Sequence, residues 1–146
     1  MEIDQETYHI DLKRYIAAND FGVVVNPGVV DGQTLGNVVL GVGQALAEEA
    51  RYDPQTGQML TADFDSYSVT RASWMPEVEL IRTETPSPSN PLGAKGAGDA
   101  SNPAVAPAVV NALINALQQF GVQHIDMPVT PEKIWALVQS SQPKTV

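Results

Sequence analysis

The chain has 146 residues, 43% hydrophobic and 17% charged, with eleven glycines and eleven prolines. This is the make-up of one globular domain, residues 1–146, with many fixed turns, not of a fibrous or disordered polymer. Eight basic residues against seventeen acidic ones give a net charge of −9, which repels phosphate backbones and anionic lipid and points away from nucleic acid. The absence of cysteine excludes disulfides, thiolate nucleophiles and ligation of an iron–sulfur cluster by this chain.

No stretch is apolar for long enough to span a bilayer, and the segment from Met1 to Tyr15 lacks the apolar centre of a secretory signal. A cytoplasmic protein is expected. In chain order, Thr7 to Ala18 alternates as a half-buried strand, and Asn19-Asp20-Phe21-Gly22 reads as a turn. Val23 to Val25 suggests a short strand stopped by Asn26-Pro27-Gly28. Leu35, Val38, Val39, Val42, Ala45 and Leu46 recur at helical spacing, which predicts a helix from Thr34 to Ala50. Glycines at 36, 41 and 43 each cost that helix about 1 kcal/mol relative to alanine, so they imply close approach of another backbone or of a ligand.

Tyr52 to Gly57 is a turn, followed by an irregular loop to Pro76. Glu77 to Glu84 alternates as a strand, and the proline-rich run Thr85 to Pro91 halts it. Beyond Gly93–Gly98, Asn102 is placed as the cap and Pro103 as the first residue of a helix that Gly121 ends. Thr130 and Pro131 open a last helix carrying Ile134, Trp135, Leu137 and Val138. This order predicts a two-layer α+β fold, helices packed on a mixed β-sheet.

Two segments have the composition of a binding site. In Gly93-Ala94-Lys95-Gly96-Ala97-Gly98-Asp99, glycines let backbone N–H groups converge, a helix start adds partial positive charge and Lys95 adds a full one, which suits an oxyanion or oxo group. It is neither a Walker loop nor a GxGxxG turn, position 101 being Ser. Asp99 has the chemistry of a general base, although by the residues alone a carboxylate serving the helix start is the favoured reading. In the second segment, Asn26 to Asn37, Gln33 can donate and accept at once, as the edge of a pterin or an amide requires, although an ordinary turn into a helix has the same composition. His9 and His124 stand apart from any metal-binding pattern, and Trp74 and Trp135 are assigned to core or interface.

Five stretches in order, Asp20-Phe21-Gly22 with Val25-Asn26-Pro27, Asp31-Gly32-Gln33 with Gly41 to Leu46, Pro86 to Pro91, Gly93 to Asp99, and Ile125 to Trp135, resemble the C-terminal, second molybdopterin-binding domain of molybdenum hydroxylase large subunits, the xanthine dehydrogenase/aldehyde oxidase family. The resemblance covers nearly the whole chain. It implies a domain forming one wall around a molybdenum–molybdopterin cofactor, in bacterial members the cytosine dinucleotide form. It also implies cofactor contacts at Gly32, Gln33, Lys95, Gly96, Ala97 and Gly98, and a general base at Asp99. The family ordinarily has Glu at that last position. The implied partners are the remaining molybdenum-binding large subunit, an iron–sulfur subunit and an FAD subunit, the iron–sulfur and FAD centres lying on those chains. A non-catalytic scaffold domain, self-associating through inherited apolar surface, is the alternative expectation.

Overall fold

The computed structural model describes residues 1–141. Asp4 closes a tight turn by accepting the Glu6 and Thr7 N–H groups at 3.0 and 2.7 Å. The turn lets β1 (Glu2–Ile3) pair antiparallel with β2 (Ile10–Asp11). After a break at Leu12 and Lys13, β3 (Arg14–Asp20) pairs in parallel with β4 (Glu77–Thr83), in register from Arg14↔Glu77 to Asp20↔Thr83. The alternation along this pair is clean: Tyr15, Ala17, Val78 and Leu80 face inward, while Ile16, Ala18, Glu79 and Ile81 share the exposed face. No third strand joins β3 or β4 among the described residues. The α+β class holds, but the mixed pairing is divided between two small sheets.

Helix α1 spans Pro27–Leu46 and lies in the crossover from β3 to β4. Asn26 is its cap, extended at φ −134°, its side-chain oxygen accepting the Val29 N–H at 3.2 Å, and Pro27 occupies a first-turn position where a missing N–H costs nothing. The helix therefore begins well before Thr34. The expected strand at Val23–Val25 is not formed, Asn26-Pro27-Gly28 opens α1 instead of stopping a strand, and the turn out of β3 falls at Gly22, not at Asn19. The reason is burial: none of Pro27 to Asp31 is buried, and the residues facing the core start at Thr34. The first turns thus carry no apolar period to read.

Helix α2 spans Asn102–Leu117, and its buried residues Val105, Val109, Leu113 and Leu117 repeat every four positions. A short 3₁₀ turn follows, ended by Gly121 in the left-handed conformation at φ 73°. Helix α3, Pro131–Ser141, opens at Thr130, whose hydroxyl accepts the Lys133 N–H at 3.4 Å, and buries Ile134 and Val138. These three helices enclose the core together with Leu12 and Val129. The Val129 N–H donates to the Ala45 carbonyl at 2.7 Å, tying the entry to α3 to the end of α1.

Helices α1 and α2 pack tightly at Gly41, where a Cβ would lie 2.3 Å from Val105 Cβ. At Gly43 a Cβ would meet Glu48 Oε1 at 2.1 Å and Thr70 Oγ1 at 2.4 Å, so this glycine admits the loop that Tyr67 fixes by donating to Glu48 at 2.9 Å. Gly36, by contrast, faces open space. Trp74 is half-buried and Trp135 is 53% exposed, a surface and not a core residue.

Candidate functional site

The site is built where the C-terminal end of β3, the middle of α1 and the start of α2 meet. β3 ends at Asp20, and Gly22, at φ +61°, turns the chain so that Gly22 bridges Ala94. The Val23 N–H donates to the Gly93 carbonyl at 3.0 Å, and the Lys95 N–H to the Phe21 carbonyl at 2.9 Å. Asn90 closes the preceding turn, donating to the Ala94 carbonyl and accepting the Ala94 N–H. The entry to the glycine-rich segment is thereby fixed to the sheet.

Its exit is fixed to α1. Asn37, buried at 4% exposure, donates from Nδ2 to the Gly98 carbonyl at 2.9 Å. The Ser101 hydroxyl donates to Asn19 Oδ1 at 3.2 Å. Gln33 is exposed four residues before Asn37, on the same side of α1, and Gly32 beside it meets nothing within 4 Å of a would-be Cβ. The amide-bearing and glycine-rich segments are therefore neighbours in space. The first of them is a helix and not the turn expected.

Between these anchors the backbone is unusually free. Among the described residues, none of the six N–H groups from Gly96 to Ser101 has an acceptor. A Cβ added at Gly96 or Gly98 would meet nothing within 4 Å. Ser101 is buried, at 4% exposure, and buried backbone donors almost always have partners. Asn102 Oδ1 is also buried without a donor. Asn102 is the first residue of α2 and not its cap. Ser101 holds the cap position in an α-region conformation, without a side-chain bond to the helix. Donors without acceptors, space beside Gly96 and Gly98 and one acceptor in need of a hydrogen fit a ligand rich in oxygen and ring N–H groups.

Lys95 is not a free cation: its Nζ lies 3.0 Å from Asp20 Oδ2. Asp20 also accepts the Gly22 N–H at 2.8 Å and the Thr85 N–H at 3.1 Å. These bonds, the Gly22 N–H foremost, then Thr85 and Lys95, hold its carboxyl below the usual carboxylate range. Sequence reasoning placed Asp20 in a turn and missed this clasp; the signal was a carboxylate two residues before a glycine at a strand end. A carboxylate whose pKa falls on folding lends stability above its unfolded value, about 3.9, and loses it as pH drops toward the folded value. Asp20→Asn is therefore expected to lower the melting temperature at pH 7 and to flatten its decline below about pH 4. Circular-dichroism melts from pH 7 down to 2 check this, and parallel acid limbs for both proteins would refute it.

Asp99 is exposed, and its carboxylate has no hydrogen-bond partner among the described residues; only its carbonyl is engaged, by the Asn102 N–H at 3.3 Å. His124 pairs with Asp126 at 2.9 Å on the surface, and His9 is exposed. Among the described residues no group of three His, Asp or Glu could hold a metal ion, and no helix is long and apolar enough to cross a membrane.

A parallel strand pair with a helical crossover, ending in a glycine segment with free amides, defines a domain of the cofactor-binding kind. Residues 1–76 match the model of the molybdopterin cofactor-binding domain, and the chain belongs to that family. It is 35% identical over 134 residues to the nicotine 6-hydroxylase large subunit of Paenarthrobacter nicotinovorans, covering 92% of this chain and 16% of that one. To the carbon monoxide dehydrogenase large chain of Hydrogenophaga pseudoflava it is 32% identical, covering 92% and 17%. The crystal structure of quinoline 2-oxidoreductase from Pseudomonas putida 86 superposes with a TM-score of 0.89 at 35% identity, over 94% of this chain and 17% of that one. The chain thus spans about a sixth of the length of these relatives. The matched residues 1–76 include Gln33 and Asn37; the glycine-rich segment lies beyond them, within the reach of the longer alignments.

Proposed function

We propose that residues 1–146 act as one domain supplying a wall of the molybdopterin site in a molybdenum hydroxylase of the xanthine dehydrogenase/aldehyde oxidase kind. The rest of the site would come from the remaining large-subunit sequence. The observation that carries this reading is the run of unpaired amides from Gly96 to Ser101, in a chain of the molybdopterin cofactor-binding family. Gly96, Ala97 and Gly98 would offer their N–H groups to cofactor oxygens, Gln33 and Gly32 would face it from α1, and Lys95, neutralised by Asp20, would shape the segment. When bound, the cofactor supplies two-electron redox chemistry at molybdenum.

Asp99 is the residue free to take a proton beside it, its carboxylate being exposed and unpaired among the described residues. We assign the cofactor to the cytosine dinucleotide form, the partners to iron–sulfur and FAD subunits, and the assembly to the cytoplasm. The names of the relatives, a nicotine hydroxylase and a quinoline oxidoreductase, support an electron-poor ring carbon as the reacting centre.

The test is to purify the tagged chain with whatever accompanies it in its native host and to measure molybdenum by mass spectrometry and pterin by fluorescence. Stoichiometric metal and pterin are expected, and a stable complex lacking both overturns the proposal. In that complex, Asp99→Ala should abolish hydroxylation with cofactor content unchanged. Asp99→Glu, which extends the carboxylate by about an ångström, should change kcat by on the order of a hundredfold, since misplacement on that scale costs as much. If the complex holds cofactor and neither change alters turnover, Asp99 is not the base and the scaffold reading gains.

A further inference from the structure

Among the described residues, the stretch from Gly96 to Ala100 receives one side-chain hydrogen bond, from Asn37 to the Gly98 carbonyl. Gly96 and Gly98 have no Cβ to pack, and nothing lies within 4 Å of where one would be. The stretch therefore has little of its own to define its backbone, because glycine has the widest conformational freedom of any residue.

A trans peptide unit is planar, so its C=O and the next residue's N–H point in opposite directions. Holding the Gly98 carbonyl toward α1 aims the Asp99 N–H away from α1, and it limits the neighbouring units through the two dihedrals on either side. Asn37 is itself held: it sits one turn before Gly41, where α1 abuts α2, and it is buried at 4% exposure.

We propose that Asn37 is a positioning residue, whose buried amide fixes the peptide planes of Gly96–Ala100 so that their N–H groups are set for an oxygen-rich ligand before it arrives. The cost of ordering a glycine-rich segment is then met during folding, which strengthens binding by preorganisation. The inference rests on the reading of the site as a molybdopterin wall, but its first test does not need the cofactor.

In the ¹⁵N-labelled 146-residue chain, backbone order parameters at Gly96–Ala100 should be near the rigid value of about 0.85. In Asn37→Leu, which keeps the bulk and loses the donor, they should fall below about 0.6 while those at Val38–Ala45 hold. Asn37→Asp, a polar isostere with a carboxylate facing the carbonyl, should act likewise at pH 7 and serves if the leucine variant does not fold. A mobile stretch in the unaltered chain, or an unchanged one in a folded variant, overturns the proposal. In the purified complex the same variants should retain cofactor about ten- to a hundredfold more weakly, as loss of outer partners does at metal sites. If the unaltered complex holds no pterin, the functional reading fails and the order measurement still decides the role of Asn37.

Discussion

Gly22→Ala is expected to cost about 3 kcal/mol or more and to release the glycine-rich segment from the sheet. Two effects act together. Residue 22 sits at φ +61°, a region that a non-glycine residue occupies at a cost of about 1–2 kcal/mol. A Cβ there would also lie 2.2 Å from the Gly93 carbonyl oxygen. That oxygen is backbone and accepts from both Val23 and Ser87, at 3.0 and 2.9 Å, so it cannot retreat without breaking those bonds. For a chain of this size the melting temperature should fall by roughly 6–12 °C. The altered protein should also lose the amide protection of Lys95 in hydrogen exchange, whose N–H donates to the Phe21 carbonyl. A fall of less than about 2 °C with Lys95 still protected would mean that the bridge between residues 22 and 94 does not hold this segment.

Gly41→Ala sets two opposing effects against each other. Alanine favours a helix interior by about 1 kcal/mol. The added Cβ would lie 2.3 Å from Val105 Cβ and 2.7 Å from its Cγ1, and valine in a helix has essentially one rotamer, so only separation of α1 from α2 gives relief. Overpacking of this kind costs typically about 1–3 kcal/mol and disturbs a contact at the centre of the core, so after the helix gain the expected net loss is about 1 kcal/mol. In a Val105→Gly background the opposing atoms are gone, and the same change should stabilise by about 1 kcal/mol. Denaturant titrations of the four proteins measure the coupling. Equal effects of Gly41→Ala in both backgrounds would remove the steric explanation.

Much of the fold could be read from the residues because burial and pattern coincide in those elements. Helix α3 declares itself by Thr130-Pro131, and the inner residues of β4 alternate with charged ones. The same pairing of a capping residue with proline at Asn26-Pro27 is masked, because Gly28, Asp31 and Gly32 look like turn residues and the first turns of α1 bury nothing. The family resemblance implies that Gln33 and the glycine-rich segment share a cofactor, but nothing local in the sequence shows how they meet. Asn37 reaches Gly98 across 61 positions and Lys95 reaches Asp20 across 75, and a single sequence carries no record of such pairings. Lys95 looked like available charge for the same reason, since its counter-ion lies on a strand end far away in the chain.

The strand pair β3–β4 has a consequence for how such a chain survives alone. Parallel strands are normally shielded on both faces, yet Ile16 and Ile81 are 49% and 41% exposed on the outer one. With no third strand beside either rim among the described residues, rows of unpaired peptide groups border a greasy surface, the combination that templates amyloid-like growth. Ile16, Ile81 and the open rims of β3 and β4 are thus the surface that a neighbouring polypeptide would have to cover, and the first place where copies of the chain would meet without it.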